Sequence, residues 1–209
     1  MAYNPRDYFY QKAKDENYAA RSAFKLEEID QRFKILRSGF QVLDLGAAPG
    51  SWSQYASKVV GPKGRVLGID LSAIKITLPN AVFIQEDMRK ADLAKIMTQA
   101  GISPPFDVVM SDMAPKTTGI RVTDQSRSLE LCELALQTAE KYVKPSGHFI
   151  AKLFHSEDFT AFRDLLKARF EKVEVLRPKS TRKESKEIFL IGIRYRAPKA
   201  GQPQTPPAP

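Results

Sequence analysis

The chain has 209 residues, a formal net charge of +9 and 43% apolar residues, enough to bury one sizeable core, and its basic balance points to an anionic partner such as nucleic acid, a ribosome or a membrane surface. Cys132 is the only cysteine, which excludes an intramolecular disulfide and a multi-cysteine zinc site and suits a reducing compartment; His148 and His155 form no HExxH-type pair, so no metal site is expected. No apolar run approaches the roughly 20 residues that cross a bilayer, and residues 1–20 are polar and tyrosine-rich, unlike a secretory signal, so a cytoplasmic location is expected.

In chain order, residues 1–17 read as a flexible N-terminal segment. Leu26, Ile29 and Phe33 recur at helical spacing behind a candidate cap, Ser22, and predict an amphipathic helix over 22–34 with Lys25 near its start. A buried strand Gln41–Leu45 then runs through Gly46-Ala47-Ala48-Pro49-Gly50 into a helix Ser51–Val60, and Gly61-Pro62-Lys63-Gly64 is a turn. The pattern continues with strands Val66–Leu71 and Ala81–Gln85, helix Asp92–Ala100, strand Phe106–Ser111 and helix Asp124–Val143. After a turn at Pro145-Ser146-Gly147 come strand His148–Phe154, helix Glu157–Phe170 and strands Lys172–Leu176 and Ile188–Tyr195. Strands alternating with helices of this length require crossover connections, hence an α/β fold with a mainly parallel seven-stranded sheet covered on both faces. No helix separates the last two strands, which predicts an antiparallel edge. One domain over 18–196 and a disordered Pro-rich tail over 197–209 complete the organisation.

Ligands of open α/β sheets sit beyond the carboxyl ends of the strands, where strand order reverses. Gly46 and Gly50 let the backbone approach a ligand there, and the helix starting near Ser51 offers free amides. Asp70 closes the second strand, where a carboxylate accepts from both hydroxyls of a ribose. Asp87 follows the third strand and suits the exocyclic amine of an adenine, with Trp52 or Met88 as apolar contact. Neither GxGxxG nor a Walker lysine is present, so an adenosine-type ligand without pyrophosphate is favoured, and S-adenosylmethionine fits. Taken singly, Asp70 and Asp87 are equally caps or solvated loop acids and Trp52 a core residue; three successive strand ends delivering suitable groups is the stronger signal.

Asp112 lies at the carboxyl end of the apolar run Val108–Ser111 and aims into the same crevice. Lys152 interrupts the strand Phe149–Phe154, a costly place for a lysine unless it is paired or neutral. Glu187 begins the last strand, and Lys25 reaches over the sheet from the N-terminal helix. In such a cluster the acids hold charged partners, while desolvation and the like charge of Lys25 favour a neutral Lys152 able to act as a base. A solvated Glu187 or a snorkelling Lys152 is the plain alternative.

The segments LDLGAAPGSWSQY, VMSDMAP, FIAKLF and SKEIFL, in this order and with SAFKL near the start, resemble the FtsJ/RrmJ family of ribosomal RNA 2′-O-methyltransferases over about residues 18–196. The resemblance implies a Rossmann-like methyltransferase fold with S-adenosylmethionine as donor. It further implies a catalytic tetrad at Lys25, Asp112, Lys152 and Glu187, with Lys152 as proton acceptor, and cofactor-binding positions at Gly50, Trp52, Asp70, Asp87 and Asp112. Where relatives carry AAPGGW, this chain has Ser51, so its loop has one glycine fewer. The implied substrate is a uridine of large-subunit ribosomal RNA in the ribosomal particle, with no membrane partner and the enzyme acting as a monomer. Transfer RNA is the nearest rival substrate. A catalytically idle RNA-binding assembly factor of the same fold and a nicotinamide-dependent oxidoreductase stand further off, the last opposed by the missing GxGxxG.

Two basic segments would supply phosphate contacts: Arg177, Lys179, Arg182, Lys183 and Lys186 before Glu187, and Arg21, Arg32, Lys34 and Arg37 around the N-terminal helix. Tyr3, Tyr8, Phe9, Tyr10 and Tyr18 are candidates to stack on unpaired bases.

Overall fold

A computed structural model describes residues 7–197. The expected tail lies outside these residues except for Ala197, as does Tyr3. Within the N-terminal segment expected to be flexible, the described part contains helix α1 (Tyr8–Asp15). Then follow α2 (Ala23–Phe33), β1 (Gln41–Leu45), α3 (Ser51–Val60), β2 (Arg65–Asp70), β3 (Ala81–Gln85), α4 (Leu93–Ala100), β4 (Phe106–Ser111), α5 (Arg121–Tyr142), β5 (Val143–Phe154), α6 (Phe159–Arg169), β6 (Phe170–Leu176) and β7 (Glu187–Tyr195). Among the described residues no helix is long and apolar enough to cross a membrane.

The strands form one seven-stranded sheet in the order β3-β2-β1-β4-β5-β7-β6, parallel from β3 to β5 and antiparallel where β7 meets β5 and β6. The last two strands pair as expected, but β7 is inserted between β5 and β6, which leaves β6 at the edge. The chain steps outward from β1 to β3 and then returns to β4 on the other side of β1. The reversal lies between β1 and β4, the place where such sheets bind ligands.

Alternation along each strand sends successive side chains to opposite faces. One face is packed through Leu43, Leu45, Leu67, Val109, Phe149, Leu153 and Leu190 against α4, α5 and α6. The other carries Val42, Val108, Met110, Ile150, Phe189 and Ile191 against α2 and α3. By the same period, Asp44, Asp112, Lys152 and Glu187 belong to the second face.

Two local expectations change. Pro145-Ser146-Gly147 is not a turn ahead of the strand: β5 already pairs with β4 at Val143, and the register slips before His148, so these residues form an irregularity inside β5. Ser22 precedes α2 but does not cap it with its side chain; its hydroxyl shares a 2.7 Å hydrogen bond with Ser51 Oγ, tying α2 to the start of α3. A second tie comes from buried Asp30, which accepts from Leu36 N at 2.8 Å and from the Tyr55 hydroxyl at 3.1 Å. These bonds fix α2, and with it Lys25, over the sheet.

Candidate active site

The loop between β1 and α3 is pinned from below. Gly46 N and Ala47 N donate to Ile69 O, and Asp70 Oδ2 accepts from Ala48 N at 3.0 Å while its Oδ1 accepts from Ser72 N at 2.7 Å. Asp70 thus braces the glycine loop and the turn after β2 at once. Gly46 has φ +76°, and a Cβ there would lie 2.8 Å from Met113 N, so only glycine lets the two loops pass. Gly50, at φ +109°, hands the chain to α3, whose first amides have no partners within the helix and face the crevice end of the sheet.

Beneath this loop lies a carboxylate that the sequence reading passed over. Asp44 is 0% exposed; its Oδ2 accepts from Ser53 Oγ at 2.6 Å, and its Oδ1 has no hydrogen-bond partner. Burial pushes its pKa up to about 7, opposed by the Ser53 hydroxyl and reinforced by the nearby charges of Asp112 and Asp70. Its signal in the sequence was a single acid inside the run Val42–Leu45, since an unpaired buried charge is costly unless a ligand compensates it. Three carboxylates around the ends of β1, β2 and β4 make a cradle suited to a cationic ligand, and the buried, unpaired Asp44 oxygen fits that character.

The four polar residues expected to converge do so as two ion pairs. Lys152, 8% exposed, places Nζ 2.8 Å from Asp112 Oδ1 and donates to Asp112 O at 2.6 Å. Lys25 pairs with Glu187, both half-buried. Across the β5/β7 ladder Lys152 is opposite Phe189 and Phe154 opposite Glu187, which makes Lys152 and Glu187 diagonal neighbours on one face. Phe189 separates the pairs: Lys25 Nζ lies 5.9 Å from its ring centroid and Trp52 packs against it at 5.6 Å. Cys132 Sγ donates to Lys152 O at 2.8 Å from below, and burial pushes that thiol up to about 12, so it stays protonated and holds the lysine's main chain.

Other positions differ from expectation in how they can act. Trp52 is 2% exposed and its indole N–H donates to Ser22 O at 2.9 Å, so its ring is core between α2 and β7 rather than an adenine contact. Met88 is also buried. Asp87 is gripped by the Arg89 guanidinium at 3.0 and 3.1 Å, which holds its carboxyl below the usual range. An amine approaching Asp87 shares the carboxylate with that arginine. Ser51, in place of a glycine, is buried and spends its hydroxyl on Ser22. The loop after Asp112 is anchored by Asp124, which accepts from Thr118 N, Thr118 Oγ1 and Gly119 N. Among the described residues no group of three or more histidine, cysteine or acidic side chains is arranged to hold a metal ion.

The basic segment before β7 is stitched to the N-terminal helices. Arg177 donates to the carbonyls of Arg182, Lys183 and Ser185, closing the loop on itself, and Glu28 of α2 accepts from Lys179 N at 2.7 Å. A cavity of about 300 Å³ opens between them, lined by Arg21, Lys25, Ser180, Arg182, Ser185 and Glu187. It therefore adjoins the Lys25–Glu187 pair. Of the aromatic residues suggested for base stacking, Phe9 and Tyr18 pack on Phe24 at 5.7 Å, whereas Tyr8, 72% exposed, meets the Phe9 ring edge-to-face at 5.3 Å.

Comparison with known proteins supplies the family. A model of the FtsJ-like methyltransferase family matches residues 18–195. The chain is 64% identical over 193 residues to ribosomal RNA large subunit methyltransferase E of Bdellovibrio bacteriovorus, covering 92% of this chain and 98% of that protein. It is 48% identical over 197 residues to the protein of the same name from Syntrophobacter fumaroxidans, covering 94% and 99%. Among solved structures, a Plasmodium falciparum protein assigned as a ribosomal RNA methyltransferase superposes with a TM-score of 0.75 at 27% identity, over 85% of this chain and 98% of that one.

Proposed function

This chain belongs to the FtsJ-like methyltransferase family, and on that premise we propose that it transfers a methyl group from S-adenosylmethionine to a ribose 2′-hydroxyl of large-subunit ribosomal RNA, at a uridine in the ribosomal particle. The observation that carries the reading is the pair of ion pairs, Lys152 with Asp112 and Lys25 with Glu187, on the sheet face that also bears the glycine loop. The names of its relatives support the substrate class.

S-adenosylmethionine, when bound, supplies a methyl carbon made electrophilic by a sulfonium. Gly50 and the first amides of α3 would face its polar atoms, Asp70 its ribose hydroxyls and Asp87 its adenine amine, and the carboxylates of Asp44 and Asp112 favour its positive charges. On the acceptor side, Lys152 in its neutral form takes the ribose hydroxyl proton at Nζ. Asp112 offers that nitrogen a carboxylate oxygen at 2.8 Å and a main-chain carbonyl at 2.6 Å, so the ammonium being formed meets two acceptors already in place. Glu187 balances the charge of Lys25, whose position lets it orient the ribose. Holding the nucleophilic oxygen in line supplies much of the acceleration. All four residues come from one chain, which supports action as a monomer.

Large ribosomal subunits from cells lacking this protein, incubated with it and labelled donor, should gain label at one 2′-O-methyl nucleotide of the large-subunit RNA. Label confined to transfer RNA, or absent altogether, would overturn the substrate assignment.

A further inference from the structure

Helix α1 brings an acid to the basic cavity. Asp7 caps α1 by accepting from Tyr10 N at 3.0 Å through Oδ1, and its other oxygen meets two arginines that line the cavity: it pairs with Arg21 and lies 3.6 Å from Arg182 Nε. Arg21 has further supports, since it donates to Ser180 O and its guanidinium lies 5.7 Å from the Phe9 ring centroid. Asp7 is partly open to solvent, its side chain 29% exposed, so releasing it opens no core.

A carboxylate and a phosphodiester resemble each other to a guanidinium: both spread one negative charge over two oxygens that a planar fork can engage. Around the cavity Arg21, Lys25 and Arg182 face Asp7 and Glu187. Lys25 and Glu187 pair with each other, and among the described residues Asp7 is the anion that pairs with both arginines. Resting on the RNA-methyltransferase reading, we propose that Asp7 holds the place of a backbone phosphate flanking the target ribose, and that the phosphate displaces it from Arg21 and Arg182 when RNA enters. The exchange replaces one anion with another, so the charge balance around the half-buried cavity is kept. Ser180 O and Phe9 keep Arg21 aimed while the exchange occurs. Asp7 thereby lowers RNA affinity and disfavours occupation of the cavity by anions that bring no further contacts.

The test is Asp7→Asn, because asparagine caps a helix as well as aspartate does and keeps the bond from Tyr10 N while losing the charge. Binding of a labelled oligouridylate, followed by fluorescence anisotropy at low salt, should tighten by about two- to fivefold, the factor expected for removing one partly exposed competing ion pair. The gain should shrink as salt rises and vanish when Arg21→Gln is added, with donor affinity unchanged throughout. Asp7→Ser, a second capping substitution, should reproduce it. Unchanged binding would overturn the proposal, and weaker binding would overturn it too by making Asp7 a residue that positions the arginines. Methylation of large subunits by the unaltered protein, run in parallel, separates the two readings. Methylation without tighter binding by Asp7→Asn removes only the phosphate exchange, and tighter binding without methylation removes only the ribosomal substrate.

Discussion

The two faces of the sheet are built from the same strands and do opposite work. Toward α4, α5 and α6 the strands present a continuous apolar layer, with Phe149 of β5 and Phe170 of β6 stacked at 6.0 Å. Toward α2 and α3 the apolar stretch through Val42, Val108, Met110 and Ile150 gives way, at the carboxyl ends of the strands, to Asp44, Asp112 and Lys152, with Glu187 entering from antiparallel β7. One face is spent on stability; the other accepts the cost of buried charge to obtain a site. Because both faces share a backbone, the apolar layer holds the charged one rigid, and the site needs no scaffold of its own.

That division can be broken or sharpened by substitution. Lys152→Ala should give the largest change: methyl transfer falls by about 10²- to 10⁴-fold, the range for losing a positioned base. Donor affinity should stay near normal and the melting temperature should fall modestly, since removing one partner of the ion pair leaves the partly exposed Asp112 carboxylate uncompensated. Near-normal turnover would remove Lys152 from its role, and a large loss of stability would erase the division between faces. Phe149→Ala, on the opposite face, should cost about 3–5 kcal/mol of unfolding free energy in denaturant titration. The turnover of the remaining folded protein should be little altered.

Smaller effects probe the cradle. Asp70→Ala should weaken donor binding by about tenfold or more in calorimetry, because hydrogen bonds to a charged group are lost and the Ala48 amide loses its acceptor. Unchanged donor affinity would show that Asp70 serves the loop alone. A further signal is a pH dependence from Asp44. Its carboxyl is raised in the folded protein from 3.8 to about 7, so the fold binds a proton that the unfolded chain releases, and this contribution to stability declines as pH rises from about 4 to about 7. Over the same titration the carboxylate forms, so affinity for a cationic donor should increase as pH passes through about 7. Asp44→Asn should flatten both curves, and a donor affinity that is equally pH-dependent in Asp44→Asn would free Asp44 of that role.

Much of this was open to reading from local pattern. Short apolar runs bounded by turn residues identified the strands, and the glycine loop, Asp112, Lys152 and Glu187 stood out because each interrupts or borders such a run. The seven strands, their mainly parallel pairing and the antiparallel final pair all follow from strand and connection lengths. Asp44 was equally available by the same rule, as an acid amid Val42, Leu43 and Leu45. Local pattern did not reveal the destination of each side chain: that the Trp52 indole is enclosed by α2 and β7, that Arg89 grips Asp87, that Ser22 serves Ser51 instead of its own helix, or that Asp7 lies against Arg21 and Arg182.

The chain itself therefore determined which residues share a face, since side-chain alternation is a property of consecutive backbone units and needs no partner. Only the tertiary structure decided which faces and strand ends meet. Inserting β7 between β5 and β6 sets Glu187 diagonal to Lys152, and packing α2 on α3 delivers Lys25 to Glu187, joining residues more than 150 positions apart. Strand order and helix docking are chosen by burial summed over the whole molecule, and no single segment carries that sum.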